Sequence, residues 1–393
     1  MAPPDTDVAP RAGAVLPRAA LARLATGRHL AFAVGFVALS AWAAYDLWLN
    51  PGFTIGTWLA HPLDWLFAYA ALVFVCYVLL PLSVDGGRRR RYRRAIGQQV
   101  ETKVAFAVLV VFVLVGLLGP HVLGQPALDP YYSYQPPVWG SVPEEWVVRC
   151  AGPVADGTCY GSWQFPLGTD RFGTGVITLL AAGTTISLYV AAIAAMLIVP
   201  VAVVAGAVAG FYGGLVDQVL ARYMELQDVL PALVVYMLVL PMTGESLFVV
   251  VVLFGFFSWG GVARVVRSEV QAVTDAPYVQ AAQGLGRRRL SILRNHVLPN
   301  VSNSVVTSLT HHVPLLLVTE AGIAFLGFES ADVESFGRII ARGLAQEQAR
   351  TPTFPEKWWI ATSAAIALAL IVASFKLVGD AVRDAEDPRT ADT

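Results

Sequence analysis

Charged side chains are scarce in this sequence. Only 14% of the 393 residues are Asp, Glu, Lys or Arg, whereas 56% are hydrophobic. Ordinary soluble domains carry roughly 25% charged residues, so this chain has too few ions to cover a globular surface. The composition excludes a disordered chain, a disulfide-rich secreted scaffold and a cytosolic enzyme, and it indicates an integral membrane protein.

Lysine is rarer still, and its placement excludes one energy source. The three lysines are Lys103, Lys357 and Lys376, and none follows a glycine. A P-loop requires Gly-Lys followed by Ser or Thr, so the chain lacks an ATPase site of that kind. The patterns HExxH and GxSxG are also missing, and the neighbours His311 and His312 would point about 100° apart on a helix. We therefore expect no catalytic residue, metal or cofactor in this chain.

Cysteine occurs three times. Cys76 falls in an apolar run and is interpreted as a small core residue. Cys150 and Cys159 lie in the segment 124–175, which we assign to the external side. An oxidising environment there favours a disulfide between them, and two free thiols are the alternative.

Long apolar runs are what the sequence has in abundance. A helix that crosses a hydrocarbon core of roughly 30 Å needs about 20 apolar residues. Eight runs meet this requirement, which predicts a polytopic all-helical protein. The predicted spans are 30–49, 64–84, 104–123, 185–210, 216–240, 247–266, 301–328 and 358–377.

The distribution of positive charge predicts the orientation. With the N-terminus inside, 21 of the 27 lysines and arginines fall on the cytoplasmic side, as the positive-inside rule requires. We therefore predict a multi-pass protein of the cell membrane with both termini in the cytoplasm. An ion-coupled secondary carrier would need ionisable groups at mid-membrane, and Glu225, Asp228 and Glu320 are the few candidates.

A run of arginines, RRRRYRR at 88–94, follows the second predicted span. We interpret this run as a stop-transfer signal that contacts lipid headgroups, in preference to a nucleic-acid patch. Membrane lipid is thus an expected partner, and nucleic acid is not.

The stretch 275–300 is cytoplasmic by the charge rule but is not a simple polar linker. It predicts two short helices, 278–285 and 288–297, joined at Gly286, which permits a backbone reversal. Pro299 is expected to end the second helix at Leu298. Such a pair of helices suits docking into a groove on another protein, or resting on the lipid surface; the residues alone favour neither.

This stretch resembles the EAA loop of binding-protein-dependent ABC importers, in the dipeptide, oligopeptide and nickel branch. Gln280 stands where that family usually has glutamate, which removes a charge but keeps the side-chain length. The resemblance implies that the loop couples the permease to a separate ATPase subunit. The implied coupling residues are Tyr278, Gln280, Ala281, Ala282, Gly286, His296, Leu298 and Pro299.

Further segments resemble the same family, and together they cover about 104–390. They include LGTDRFG at 167–173, GFYGG at 210–214, FLGF at 325–328 and GDAVRDAEDPR at 379–389. The resemblance implies a six-span permease core, preceded here by an extra two-span hairpin. The resulting domain boundaries are 1–28 (cytoplasmic tail), 29–84 (hairpin), 85–103 (basic linker), 104–380 (permease with external segment 124–175 and coupling loop 270–300) and 381–393 (cytoplasmic tail).

The function implied by this resemblance is that of a permease subunit in an ATP-driven importer, forming half of the translocation path for peptides. The alternatives are a permease for nickel or another small solute, and an ion-coupled carrier. The implied partners are a homologous second permease, two ATP-binding subunits that hold ATP and Mg, and an extracytoplasmic solute-binding protein. No substrate-binding residue is assigned.

Overall fold

A computed structural model describes residues 18–49, 54–55, 58–59, 61–229, 232–243, 246–285, 288–328, 333–345 and 352–386. Within these ranges the chain is mostly α-helical, which confirms the predicted all-helical class. The chain divides into two units, Met1–Gly97 and Gln98–Thr393.

The first unit is a helical hairpin followed by a basic helix. Its helices are α1 (Arg18–Ala44), α2 (Pro62–Phe74), α3 (Leu80–Val84) and α4 (Gly86–Gln98), with π-helical turns at Tyr45–Leu49 and Val75–Leu79. Strands β1 (Thr54–Ile55) and β2 (Trp58–Leu59) pair in antiparallel fashion between α1 and α2. Helix α1 begins within the segment 1–28 that we predicted to be a tail.

Polar side chains inside the hairpin satisfy one another, as apolar surroundings demand. The hydroxyls of Ser40 and Tyr69 lie 2.9 Å apart. The indole of Trp65 donates to Asp46 Oδ2 at 2.8 Å. These bonds join α2 to α1 and to the π-helical turn that follows α1.

The second unit contains eleven α-helices and three strands within the described ranges. The helices are α5 (Val100–Leu123), α6 (Val176–Tyr212), α7 (Gly214–Val229), α8 (Ala232–Thr243), α9 (Leu247–Phe257), α10 (Gly260–Thr274), α11 (Pro277–Gly284), α12 (Arg289–Ile292), α13 (Leu298–Phe325), α14 (Phe336–Leu344) and α15 (Trp358–Glu386). The strands β3 (Ser141–Pro143), β4 (Val154–Ala155) and β5 (Thr158–Tyr160) form one sheet in the order β3-β5-β4.

Six helices among the described residues are long and apolar enough to cross a membrane. They are Gly27–Ala44, Pro62–Val84, Val100–Leu123, Val176–Tyr212, Leu247–Thr274 and Trp358–Ala385. The range Pro62–Val84 runs from α2 to α3, and Leu247–Thr274 runs from α9 to α10. Helices α7 and α8 provide a seventh span only when taken together, and they are bent by 86°. The structure therefore supports six or seven spans by length and composition, against the eight that we predicted.

The predicted span 216–240 corresponds to the bent pair α7 and α8, and the predicted span 301–328 corresponds mostly to α13. Helix α13 has 28 residues, so it is long enough to cross. It contains His311, His312 and Glu320, which reduce its hydropathy, and it is not among the six helices above. Helix α13 is therefore long enough to span but less apolar than those six helices.

The centre of the second unit is the contact between α6 and α10. A Cβ atom at Gly206 would lie 2.4 Å from Ala263 O, and one at Gly210 would lie 2.7 Å from Arg267 O. Glycine at these two positions therefore lets the helix backbones approach closely. This packing fixes α10, which leads directly into the loop that carries α11.

Candidate functional site

The loop between α10 and α13 begins with a tight turn. Asp275 and Ala276 separate α10 from α11, and Pro277 occupies the first helical position, where its missing N–H costs nothing. The N–H groups of Val279 and Gln280 donate to Ala276 O at 3.0 and 3.2 Å. Helix α11 is therefore fixed directly to the end of α10.

Gln280, which stands in place of the glutamate usual in the EAA loop, contributes to this turn. Its side chain is exposed, and its Nε2 donates to Asp275 O at 3.1 Å. A carboxylate has no proton to donate at neutral pH, so glutamate could not make this bond. The substitution replaces a negative charge with a local hydrogen bond.

Four apolar residues of the loop are buried. Val279, Ile292 and Val297 have no exposed surface, and Leu293 is nearly buried. They form one cluster with residues of α6, α10 and α13, namely Ala207, Val266, Val270, Val301 and Val305. We call these four loop residues the loop anchor. They tie both short helices of the loop to α6, α10 and α13.

The opposite side of α11 faces outward. Gln280, Ala281 and Gly284 are exposed, Tyr278 is half-exposed, and Leu285 is 85% exposed. A leucine this exposed at the end of a helix is a suitable contact for another protein. Tyr278, Ala281 and Leu285, spaced at i, i+3 and i+7, lie on one face of the helix.

Some of the predicted coupling residues lie partly or wholly outside the part of the chain that the structure describes. Ala282 lies in α11, His296 in the π-helical stretch Leu293–Val297 and Pro299 in α13, but their side chains lie outside the described set. Gly286 lies outside the described residues altogether. Leu298 is partly buried against the loop anchor. The loop anchor was not predicted, because the sequence does not show which helices the apolar residues of the loop contact.

The predicted end of the second short helix at Pro299 is wrong. Helix α12 continues through the π-helical stretch into α13, and Pro299 lies in the first turn of α13. The N–H of Leu298 donates to Leu293 O, a five-residue spacing that absorbs the proline without ending the helix. The coupling loop is therefore continuous with α13.

Two ion pairs join α7 to α10. Arg267 pairs with Asp217 through Nη2 to Oδ2 at 2.7 Å and through Nε to Oδ1. Arg264 pairs with Asp228 through Nη2 to Oδ1 at 2.8 Å. The sequence offered Asp228 as a candidate for an ion-coupled carrier, but here its carboxylate engages an arginine.

The predicted external segment 124–175 is held by hydrogen bonds and ion pairs around the LGTDRFG motif. Asp170 is fully buried and accepts from the N–H groups of Phe172 and Thr174 at 2.9 and 3.0 Å. Its Oδ2 lies 3.3 Å from Nη1 of Arg342 on α14, which also pairs with Glu334. These contacts connect the segment to helices near the other end of the chain.

Burial shifts the titration of groups in this region. Desolvation raises the pKa of Asp170, an effect that Arg342 and the two backbone donors partly offset. Lys357 is also buried, with Nζ donating to Ala345 O at 2.6 Å. Desolvation, and then the nearby Arg171, lower the pKa of the Lys357 amine.

The structure joins Cys150 and Cys159 by a disulfide, with their Cα atoms 5.8 Å apart. Cys159 lies in β5, and the residues around Cys150 are held by the buried Gln135. Gln135 Nε2 donates to Arg149 O at 2.8 Å, and its Oε1 accepts from Ala151 N at 2.9 Å. The small sheet and the disulfide thus form one ordered part of the segment 124–175.

Helical spans and a loop anchored to them indicate a polytopic membrane protein. Residues 202–392 match the family of binding-protein-dependent transport system inner membrane components, and the chain belongs to this family. It is accordingly a multi-pass inner-membrane permease: such subunits are non-catalytic and carry no cofactor. The family's mode of transport implies ATPase and binding-protein partners.

Curated relatives give the same assignment. The chain is 32% identical over 224 residues to the dipeptide transport system permease protein DppC of Bacillus subtilis, covering 56% of this chain and 68% of that protein. It is 29% identical over 246 residues to the oligopeptide transport system permease protein OppC of Haemophilus influenzae, covering 62% and 75%. It is 30% identical over 224 residues to the peptidoglycan transport system permease protein YejE of Agrobacterium fabrum, covering 57% of each.

Proposed function

We propose that this permease imports peptides and forms half of a translocation path with a homologous second permease. The similarity to permeases named for dipeptide, oligopeptide and peptidoglycan transport supports this substrate class. Nickel and other small solutes are the alternatives, and the ligand of the partner binding protein distinguishes them. Isolation of that binding protein with a bound peptide supports the proposal, and a bound metal ion or sugar contradicts it.

The loop 277–297 is the coupling element in this proposal, and the loop anchor is the observation that carries it. Because Val279 and Ile292 share one apolar cluster with Val266 and Val270 of α10, displacement of the loop must displace α10. The Arg264 and Arg267 ion pairs extend that displacement to α7. ATP binding in two separate ATPase subunits would then shift the permease between two states.

The orientation follows from this role. The coupling loop and both termini lie in the cytoplasm, and the segment 124–175 lies outside. The charge distribution supports this orientation, as does the disulfide Cys150–Cys159, since disulfides persist on the oxidising side of the membrane.

Leu285→Glu tests the coupling role, because Leu285 is 85% exposed and its replacement leaves the loop anchor intact. A charge in an apolar contact is costly, so we expect loss of substrate-stimulated ATP hydrolysis by about tenfold or more. The measurement is ATPase activity of the reconstituted complex with its binding protein.

Leu285→Met is the matched control, since it keeps an apolar side chain of similar volume. It should retain most of the stimulated activity. Equal activity of Leu285→Glu and the native complex would contradict a docking role for this face, whereas the peptide assignment is tested separately by the ligand of the binding protein.

A further inference from the structure

Helix α4 concentrates positive charge, and Arg88 at its start pairs with Asp85 just before the helix (Nε to Oδ2, 3.6 Å). Its 13 residues include six arginines, at 88–91, 93 and 94, and no acidic residue. Arginines three and four positions apart are neighbours on a helix and repel one another; Arg89 and Arg93 form one such pair. An anionic ligand along this helix would relieve that repulsion.

Asp85 separates α4 from the span that precedes it. The residue has an extended backbone, with ψ of 92°, where α3 ends. Its Oδ1 accepts from the N–H groups of Gly87 and Arg88 at 3.0 and 3.1 Å, which caps the start of α4. The chain therefore leaves the helix of the span and begins a new helix after one residue.

Four of the six arginines of α4 share one face of the helix. At about 100° per residue, positions 89, 93, 90 and 94 cover one arc about 140° wide, and all four are exposed. Tyr92, Ala95 and Ile96 occupy another arc and are partly buried. Arg89, Arg90 and Arg93 line a cleft of about 190 Å³.

Phosphate suits these donors, because each guanidinium presents a planar fork of N–H groups that binds phosphate oxygens in pairs. The position of the helix selects the source of that phosphate. Only Asp85 lies between α4 and the end of the span Pro62–Val84, so the arginines begin where the hydrocarbon ends. Phospholipid headgroups are the phosphates found at that depth.

We propose that Arg89, Arg90 and Arg93 of α4 form a binding site for the phosphate groups of anionic phospholipids. The site lies in the leaflet where the span Pro62–Val84 ends. It is independent of the transported substrate, and it gives the N-terminal hairpin a role in recognising the surrounding lipid.

The test measures binding of fluorescent phosphatidylglycerol and phosphatidylcholine to the full chain in neutral detergent. Each arginine near an anionic surface contributes about fivefold to affinity, so Arg89→Gln/Arg90→Gln/Arg93→Gln should weaken phosphatidylglycerol binding about 100-fold. Lys103→Gln/Arg222→Gln/Arg383→Gln removes the same charge from exposed positions elsewhere. This control should bind phosphatidylglycerol as the native chain does.

Three results would overturn the proposal. The first is equal weakening by the two triple variants, which would indicate general electrostatic attraction. The second is full displacement of the lipid by inorganic phosphate, which would indicate a site for free phosphate. The third is tighter binding of single-stranded RNA than of phosphatidylglycerol through the same arginines, which would indicate a nucleic-acid site.

Discussion

Single buried polar residues determine how the segment 124–175 is attached to the helices. Asp170 contacts Arg342, 172 positions away in sequence, and the carbonyl of its neighbour Thr169 accepts from the indole of Trp359 at 3.1 Å. The LGTDRFG motif identified Asp170 as notable, but the sequence could not name Arg342 or Trp359, because such pairings are created by the fold. The departure at Gln280 was visible in sequence, whereas its hydrogen bond to Asp275 was not.

The buried carboxyl of Asp170 gives a prediction about pH. Burial raises the folded pKa of Asp170 above the ordinary value of an aspartate, so the folded state binds the proton more tightly than the unfolded state. The contribution of Asp170 to stability is therefore full below about pH 4 and is lost as pH rises through the raised pKa. Asp170→Asn removes this titration.

The measurement is the apparent melting temperature of both chains in detergent across the acidic range. The melting temperature of the native chain minus that of the Asp170→Asn variant should decline as the pH rises from about pH 4. A difference that stays constant or grows with pH would contradict the raised pKa.

At the scale of elements, hydropathy located the helices well because lipid demands long apolar runs. It could not detect the 86° bend between α7 and α8 or the break at Ser258 between α9 and α10. Such interruptions depend on local partners: Gln227 Oε1 accepts from Gly260 N at 2.7 Å where α10 begins. The continuity of α12 with α13 was likewise invisible, because a proline in sequence suggests a stop.

The loop anchor gives a prediction at this scale. Ile292 is fully buried, and Ile292→Ala removes apolar contacts at an expected cost of about 2–5 kcal/mol. Loss of these contacts should loosen the loop from α10, raising amide hydrogen exchange in 277–297 and lowering stimulated ATP hydrolysis. Val306→Ala, at a half-exposed position of α13, is the matched control and should change neither.

Retention of native exchange and native coupling by Ile292→Ala would show that the loop anchor does not carry the motion. An increase in exchange with unchanged coupling would instead place the transmission outside the loop.

For the whole molecule, the orientation is testable by labelling. Leu285 and Leu128 are both strongly exposed and belong to the proposed cytoplasmic loop and outer segment respectively. In a Cys76→Ala background, Leu128→Cys should react with an impermeant maleimide in intact cells, and Leu285→Cys only after permeabilisation. Labelling of Leu285→Cys in intact cells would contradict the proposed orientation.

The same experiment addresses Cys150 and Cys159. If they are bridged as in the structure, neither should be labelled before reduction, and a peptide map without reductant should recover them linked. Alkylation of both before reduction would contradict the disulfide.

The central claim is that this chain moves peptides only when coupled to ATP hydrolysis by other subunits. The most direct measurement is uptake of a labelled peptide by proteoliposomes containing this chain, its partner permease and ATPase subunits, and the binding protein. The account predicts uptake that requires ATP and stops when the ATPase is catalytically inactive. Peptide uptake by this chain alone, driven by an ion gradient without ATP, would contradict it.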